Sequence, residues 1–236
     1  MKSTIKYLFL LVLACSFWAC EKEVPNKRNG KIINYPSQIA PDSGYSFVDF
    51  GETRLAIYAP NNSREFDNFI LGFPPTSGTA SLMRGLIRHV ADSLDALVIS
   101  PTWIENSYQY SLMINSILAL ETIKEVPKYL VGYSAGGSDA FVEAQRLGDK
   151  IDGLVLLAAG RTTNSFLSST SPPQVKICFC SGTVDFVYDS NVSLYQGLLK
   201  LGLDMKFIEL EGFDHGQMFS TGYPNEIAEC FSFVAK

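Results

Sequence analysis

Histidine is nearly absent from this chain, which carries only His89 and His215 in 236 residues. Any chemistry that needs an imidazole therefore has two candidates. Basic residues are also sparse. There are 19 Lys and Arg against 24 Asp and Glu, a net charge of −5, and no basic cluster or stripe. That balance argues against a nucleic-acid partner, whose phosphates call for a concentrated positive surface. Charged residues make up 18% and hydrophobic residues 47%, a globular composition and not a disordered one. The length suits one full domain and is too short for two comfortable ones. Five cysteines are too few for a disulfide-dense scaffold. Cys178 and Cys180 stand two apart on an expected strand and share a face, a poor geometry for bridging. Together with Cys230 they read as buried free thiols, with no metal site.

The first twenty residues stand apart from the rest. Lys2 and Lys6 precede a charge-free run, Tyr7 to Ala19, that is too short to span a bilayer easily and matches a secretory signal peptide. Val12-Leu13-Ala14-Cys15 and Phe17-Trp18-Ala19-Cys20 both resemble the lipobox of bacterial lipoproteins. Cys20 has the longer apolar run before it and polar Glu21-Lys22-Glu23 after it, and is the preferred lipidation site, with Cys15 the alternative. The resemblance implies an exported protein on the periplasmic or cell-surface side, touching a bacterial membrane only through an N-terminal lipid. Residues 1–19 are then the signal peptide, 20–44 a Pro-containing tether, and 45–236 the domain.

From residue 45 the periodicity alternates. Ser46–Phe50 and Thr53–Ala59 read as strands around a Gly51-Glu52 turn, and Asn68–Phe73 as a short apolar strand. Ser81–Leu94 repeats apolar residues with a helical period, and Leu97–Ser100 is a strand. Tyr108–Val126 reads as one long helix stopped by Pro127, with Leu112, Met113, Ile117, Leu120 and Ile123 on one side. Strands follow at Tyr129–Gly132, Gly153–Ala158, Val175–Cys180 and Met205–Leu210. Helices follow at Gly136–Leu147, Asp189–Leu201 and Asn225–Val234. Strand and helix in alternation predict an α/β fold: a mostly parallel, doubly wound sheet with helices on both faces and the opening hairpin at one edge.

Gly132-Tyr133-Ser134-Ala135-Gly136 is the informative string. G-x-S-x-G alone is weak, but here it joins an apolar strand to an apolar helix, as a nucleophile elbow requires. The backbone N–H of Ala135, at a helix N-terminus, suits an oxyanion. Serine needs a base. His89 lies mid-helix, at the edge of an apolar stripe. His215 follows the last strand, at the same sheet edge as the elbow, and is the candidate base. The acid should fall between Ser134 and His215. Asp185 in Gly182-Thr183-Val184-Asp185 fits. Its competitors are Asp189, which reads as a helix N-cap, and Asp214, adjacent to the histidine. In strand order, elbow, acid loop and histidine loop, residues 45–236 resemble the α/β-hydrolase family. Leu71-Gly72-Phe73-Pro74-Pro75-Thr76 is similar to that family's H-G-F-P-G string, with Leu71 for His and Pro75 for Gly. The resemblance implies that the Phe73 N–H is the second oxyanion donor.

The resemblance further implies hydrolysis of a carboxylic ester through an acyl-enzyme, with no cofactor and no metal. Only Arg161 to Gln174 fill the place where many members carry a cap, so no cap domain is expected, and Thr162–Pro173 makes at most a flap. The expected partner is a small-molecule or polymer-borne ester, such as an acyl group on carbohydrate. Trp103, Tyr133 and Phe186 are candidate substrate contacts, with Phe213 and Arg161 nearby. Two other readings stay open: a serine peptidase on short peptides, and a catalytically silent binding module on the same fold.

Overall fold

A computed structural model of the chain describes residues 45–50, 53–60, 66–104, 107–160, 172–220 and 224–236. The signal peptide with Cys15 and Cys20, the tether, the Gly51-Glu52 turn, Arg161 and most of the Thr162–Pro173 segment lie outside the described residues. None of the helices among the described residues is long and apolar enough to cross a membrane.

In chain order the elements are β1 (Tyr45–Phe50), β2 (Thr53–Tyr58), β3 (Asn68–Phe73), α1 (Ala80–Leu94), β4 (Ala96–Pro101), α2 (Ser107–Leu118) and α3 (Glu121–Lys124). There follow β5 (Lys128–Tyr133), α4 (Ala135–Leu147), β6 (Gly153–Leu157), β7 (Lys176–Gly182), α5 (Tyr188–Leu199), β8 (Met205–Leu210), α6 (Gln217–Ser220) and α7 (Pro224–Val234). The strands form one sheet in the order β1-β2-β4-β3-β5-β6-β7-β8. β1 pairs antiparallel with β2 and β2 antiparallel with β4, while every other pairing is parallel.

Strand alternation divides the core between the two faces of the sheet. Phe69, Leu71, Leu130, Leu154, Leu156, Ile177 and Phe179 meet α2 and α4 on one face. Ile70, Val98, Val131, Val155 and Cys178 meet α1 and α7 on the other. β5 to β7 are buried on both faces, so they read as continuous apolar runs.

Three expectations are corrected here. The helix expected over Tyr108–Val126 is two, α2 and α3, because Leu120 takes an extended backbone (φ −67, ψ 130) between them. The break lets Ile123 drop fully into the core, whereas Leu112, expected on the apolar side, is 48% exposed. Asp189 is not an N-cap, since α5 begins one residue earlier and Asp189 lies exposed in its first turn. Cys178 and Cys230 are not free thiols. They form a disulfide with Cα atoms 5.3 Å apart, and Cys180 is the free, buried cysteine. Packing of α7 against β7 supplies the partner that a single strand cannot. Burial comes first among the causes that push the Cys180 thiol up to about 12.

Candidate active site

The site grows from the end of β5. There the chain reverses sharply into α4, and Ser134 sits at the reversal with φ 54 and ψ −125. A non-glycine residue avoids this region unless its surroundings over-determine it. The surroundings do so here. The Ser134 N–H donates to the Leu157 carbonyl at 3.0 Å, and its carbonyl accepts the N–H groups of Gly137 at 2.9 Å and Gly160 at 2.7 Å. The close approach also explains the two glycines. A Cβ on Gly132 would lie 2.2 Å from the Gly136 carbonyl oxygen, and one on Gly136 would lie 2.2 Å from that of Phe73. Gly160 escaped the sequence reading because its contact with the elbow crosses from β6 to β5.

Two loops at the same edge of the sheet complete the site. After β7, Asp185 is buried, and its Oδ1 accepts the Val187 N–H at 3.0 Å. After β8, a turn through Gly212 brings His215 over Ser134. His215 Nδ1 stands 3.0 and 2.9 Å from the two Asp185 oxygens, and its Nε2 stands 2.9 Å from Ser134 Oγ. With a carboxylate at Nδ1, the proton is assigned to that nitrogen, which leaves Nε2 to accept from the serine hydroxyl. The Asp185 side chain is 1% exposed and that of His215 is 20% exposed, so the imidazole meets solvent and the carboxylate does not.

The rival residues fall elsewhere. Asp214 turns away from the imidazole, and its Oδ1 accepts the N–H groups of Gly216 and Gln217. His89 remains on α1, half-exposed. Among the described residues, no group of three or more His, Cys, Asp or Glu could hold a metal ion.

The residues expected to hold substrate separate. Ala135 is the first residue of α4, where the N–H has no acceptor within the helix. Phe73 differs from expectation. The Phe69 N–H donates to the Pro127 carbonyl, and Phe73 lies opposite Gly132 in the same parallel ladder. Every second N–H of β3 points to β5, which turns that of Phe73 toward the Val131 carbonyl and away from Ser134. Pro74 and Pro75 have no N–H, so the next main-chain donor on the loop is Thr76. Thr76 and Ser77, the latter at φ 60, form an exposed turn closed by the Gly78 N–H on the Pro75 carbonyl.

Tyr133 is 1% exposed and therefore cannot line an open substrate surface. Its hydroxyl donates instead to the main-chain carbonyl of His215. Burial, followed by the charges of Asp185 and Asp214, pushes the phenol well above its ordinary range, so it stays a donor. Trp103 is half-buried after β4, with its main-chain N–H on the Gly78 carbonyl. Phe186 is 79% exposed, and its ring centroid lies 4.5 Å from that of His215. Phe213 is half-buried, and its carbonyl accepts the Val184 N–H.

No family model and no curated protein sequence matches the chain. Solved structures do. Est1E from Butyrivibrio proteoclasticus matches at 13% identity and TM-score 0.60, over 82% of this chain and 100% of that one. It has also been solved with ferulic acid bound. FphF, a fluorophosphonate-binding serine hydrolase of Staphylococcus aureus, matches at 15% and 0.60, over 81% and 98%. The Francisella virulence factor BioJ matches at 13% and 0.65, over 81% and 84%. The fold is that of the α/β-hydrolases, and the described residues contain no cap domain.

Proposed function

We propose that the protein is a serine-dependent carboxylic ester hydrolase working through an acyl-enzyme. The observation that carries this reading is the single line of contacts from the buried Asp185 through His215 to Ser134 Oγ. Ser134 Oγ attacks the ester carbonyl while its proton passes to His215 Nε2. Asp185 stabilises the imidazolium that results. The Ala135 N–H holds the developing oxyanion, with the Thr76 N–H as the second donor in place of that of Phe73. His215 then returns the proton to the departing alcohol oxygen as the carbon–oxygen bond breaks. Water, activated by the same base, releases the acid.

Acyl groups on carbohydrate, acetyl or aromatic, are the proposed substrates. The partly exposed histidine and the absence of a cap among the described residues support an open site over a long acyl tunnel. The ferulic acid bound to Est1E, a protein of the same fold, is in keeping with an aromatic acyl group. Export with an N-terminal lipid at Cys20 belongs to the same proposal. The Cys178–Cys230 disulfide favours an oxidising compartment.

A fluorophosphonate probe tests the reading directly. Labelling that maps to Ser134 and vanishes in Ser134→Ala is expected. It would be followed by turnover of acetyl and feruloyl esters and not of short peptides. Folded protein that takes no label would favour a silent binding module on this fold, and turnover of peptides alone a peptidase. A strong preference for long-chain over acetyl esters would count against the open site.

A further inference from the structure

Phe186 is a large apolar side chain held out in solvent beside the base. It sits between Asp185 and Val187, both buried, on a turn held by hydrogen bonds on either side of it. The Val184 N–H donates to Phe213, that of Asp185 to Gly182, and that of Tyr188 to the Asp185 carbonyl. The Asp185 carboxylate holds the Val187 N–H. Val184, 63% exposed, stands beside it on the same turn. Apart from the contact of the Phe186 ring with His215, the fold buries neither side chain, and a pair of exposed apolar groups beside the imidazole points to a binding role.

Their position says which half of an ester they meet. His215 Nε2 faces Ser134 Oγ and is the group that hands a proton to the leaving oxygen. The alcohol must therefore depart past the imidazole. The Phe186 ring leans on that imidazole with centroids 4.5 Å apart and planes 44° apart. We infer that Phe186, with Val184 beside it, is the subsite for the alcohol component and selects a ring-bearing alcohol, aryl or pyranose, whose face stacks on the exposed phenyl. This rests on the ester-hydrolase reading above and adds to it the side of the substrate that confers specificity.

The test compares two esters that deliver the same acetyl group to Ser134 in the folded full-length protein. One is phenyl acetate, whose alcohol component is a ring. The other is ethyl acetate, whose alcohol has none. In Phe186→Ala the ratio of kcat/KM for the aryl over the alkyl ester falls about tenfold, and Phe186→Tyr restores it. A ratio that stays within about twofold of wild type overturns the inference, because Phe186 would then serve both esters alike or neither. Wild-type protein that cleaves neither ester would instead overturn the ester-hydrolase reading, and this inference with it.

Discussion

The buried hydroxyl of Tyr133 donates to the main-chain carbonyl of His215, across 82 residues of sequence. Tyr133 is the residue before Ser134, so one side chain ties the nucleophile's strand to the base's loop. Their rings are also packed, with centroids 5.2 Å apart. Tyr133→Phe keeps the packing and removes the tie. It is expected to lower kcat about tenfold with KM unchanged. Because one base serves both half-reactions, acylation and deacylation should slow together, which single-turnover kinetics would show. A loss confined to KM would sink this role.

Asp185 holds the histidine through both carboxylate oxygens. Asp185→Asn should leave the fold intact and lower kcat by roughly 10³–10⁴, as a misassigned imidazole proton does elsewhere. Asp214→Asn, at the rival carboxylate, should cost less than about tenfold in kcat, because its partners are the N–H groups of its own turn. Steady-state kinetics on a single acetyl ester separates the two, and equal losses would reopen the assignment.

The disulfide closes a segment of 52 residues that includes the acid and histidine loops. The chain-entropy model puts its stabilisation at about 4 kcal/mol. Urea unfolding of the Cys178→Ala, Cys230→Ala double variant should show a lower midpoint. Reductant should lower the midpoint of the wild type and leave that of the variant where it is. An unchanged midpoint in both would mean the bridge does not form.

Asp139, on α4, has its carboxyl pushed up to about 6, chiefly by burial and then by the charge of Glu143. Glu143 itself is held by Arg146 and Ser111. A folded value above the unfolded one of 3.8 means that the native state favours the protonated acid. The resulting destabilisation is absent below about pH 4, grows as pH rises toward 6, and is complete above it. Asp139→Asn should therefore melt above the wild type at pH 8 and level with it at pH 4. Melting curves with the opposite trend would contradict the burial of this carboxyl.

Much of this protein is written locally. The apolar run of β3 placed that strand to the residue, because a strand buried against helices has little freedom in which positions are apolar, and β8 was placed to the residue although most of it is only half-buried. Gly132 and Gly136 announced the elbow because backbone contacts there leave no volume for a side chain. Asp185 and His215 were legible because parallel strands deliver their following loops to one edge. Only the folded chain decided the rest. Leu120 leaves the helix to seat Ile123, although its propensity gives no sign of it. Cys230 reaches Cys178 because α7 packs on β7, and Tyr133 turns from surface candidate to buried anchor because the histidine loop closes over it. The N–H of Phe73 is taken by the sheet through the register of β3 on β5. Each of these depends on which distant segment packs against a residue, and local spacing carries no record of that.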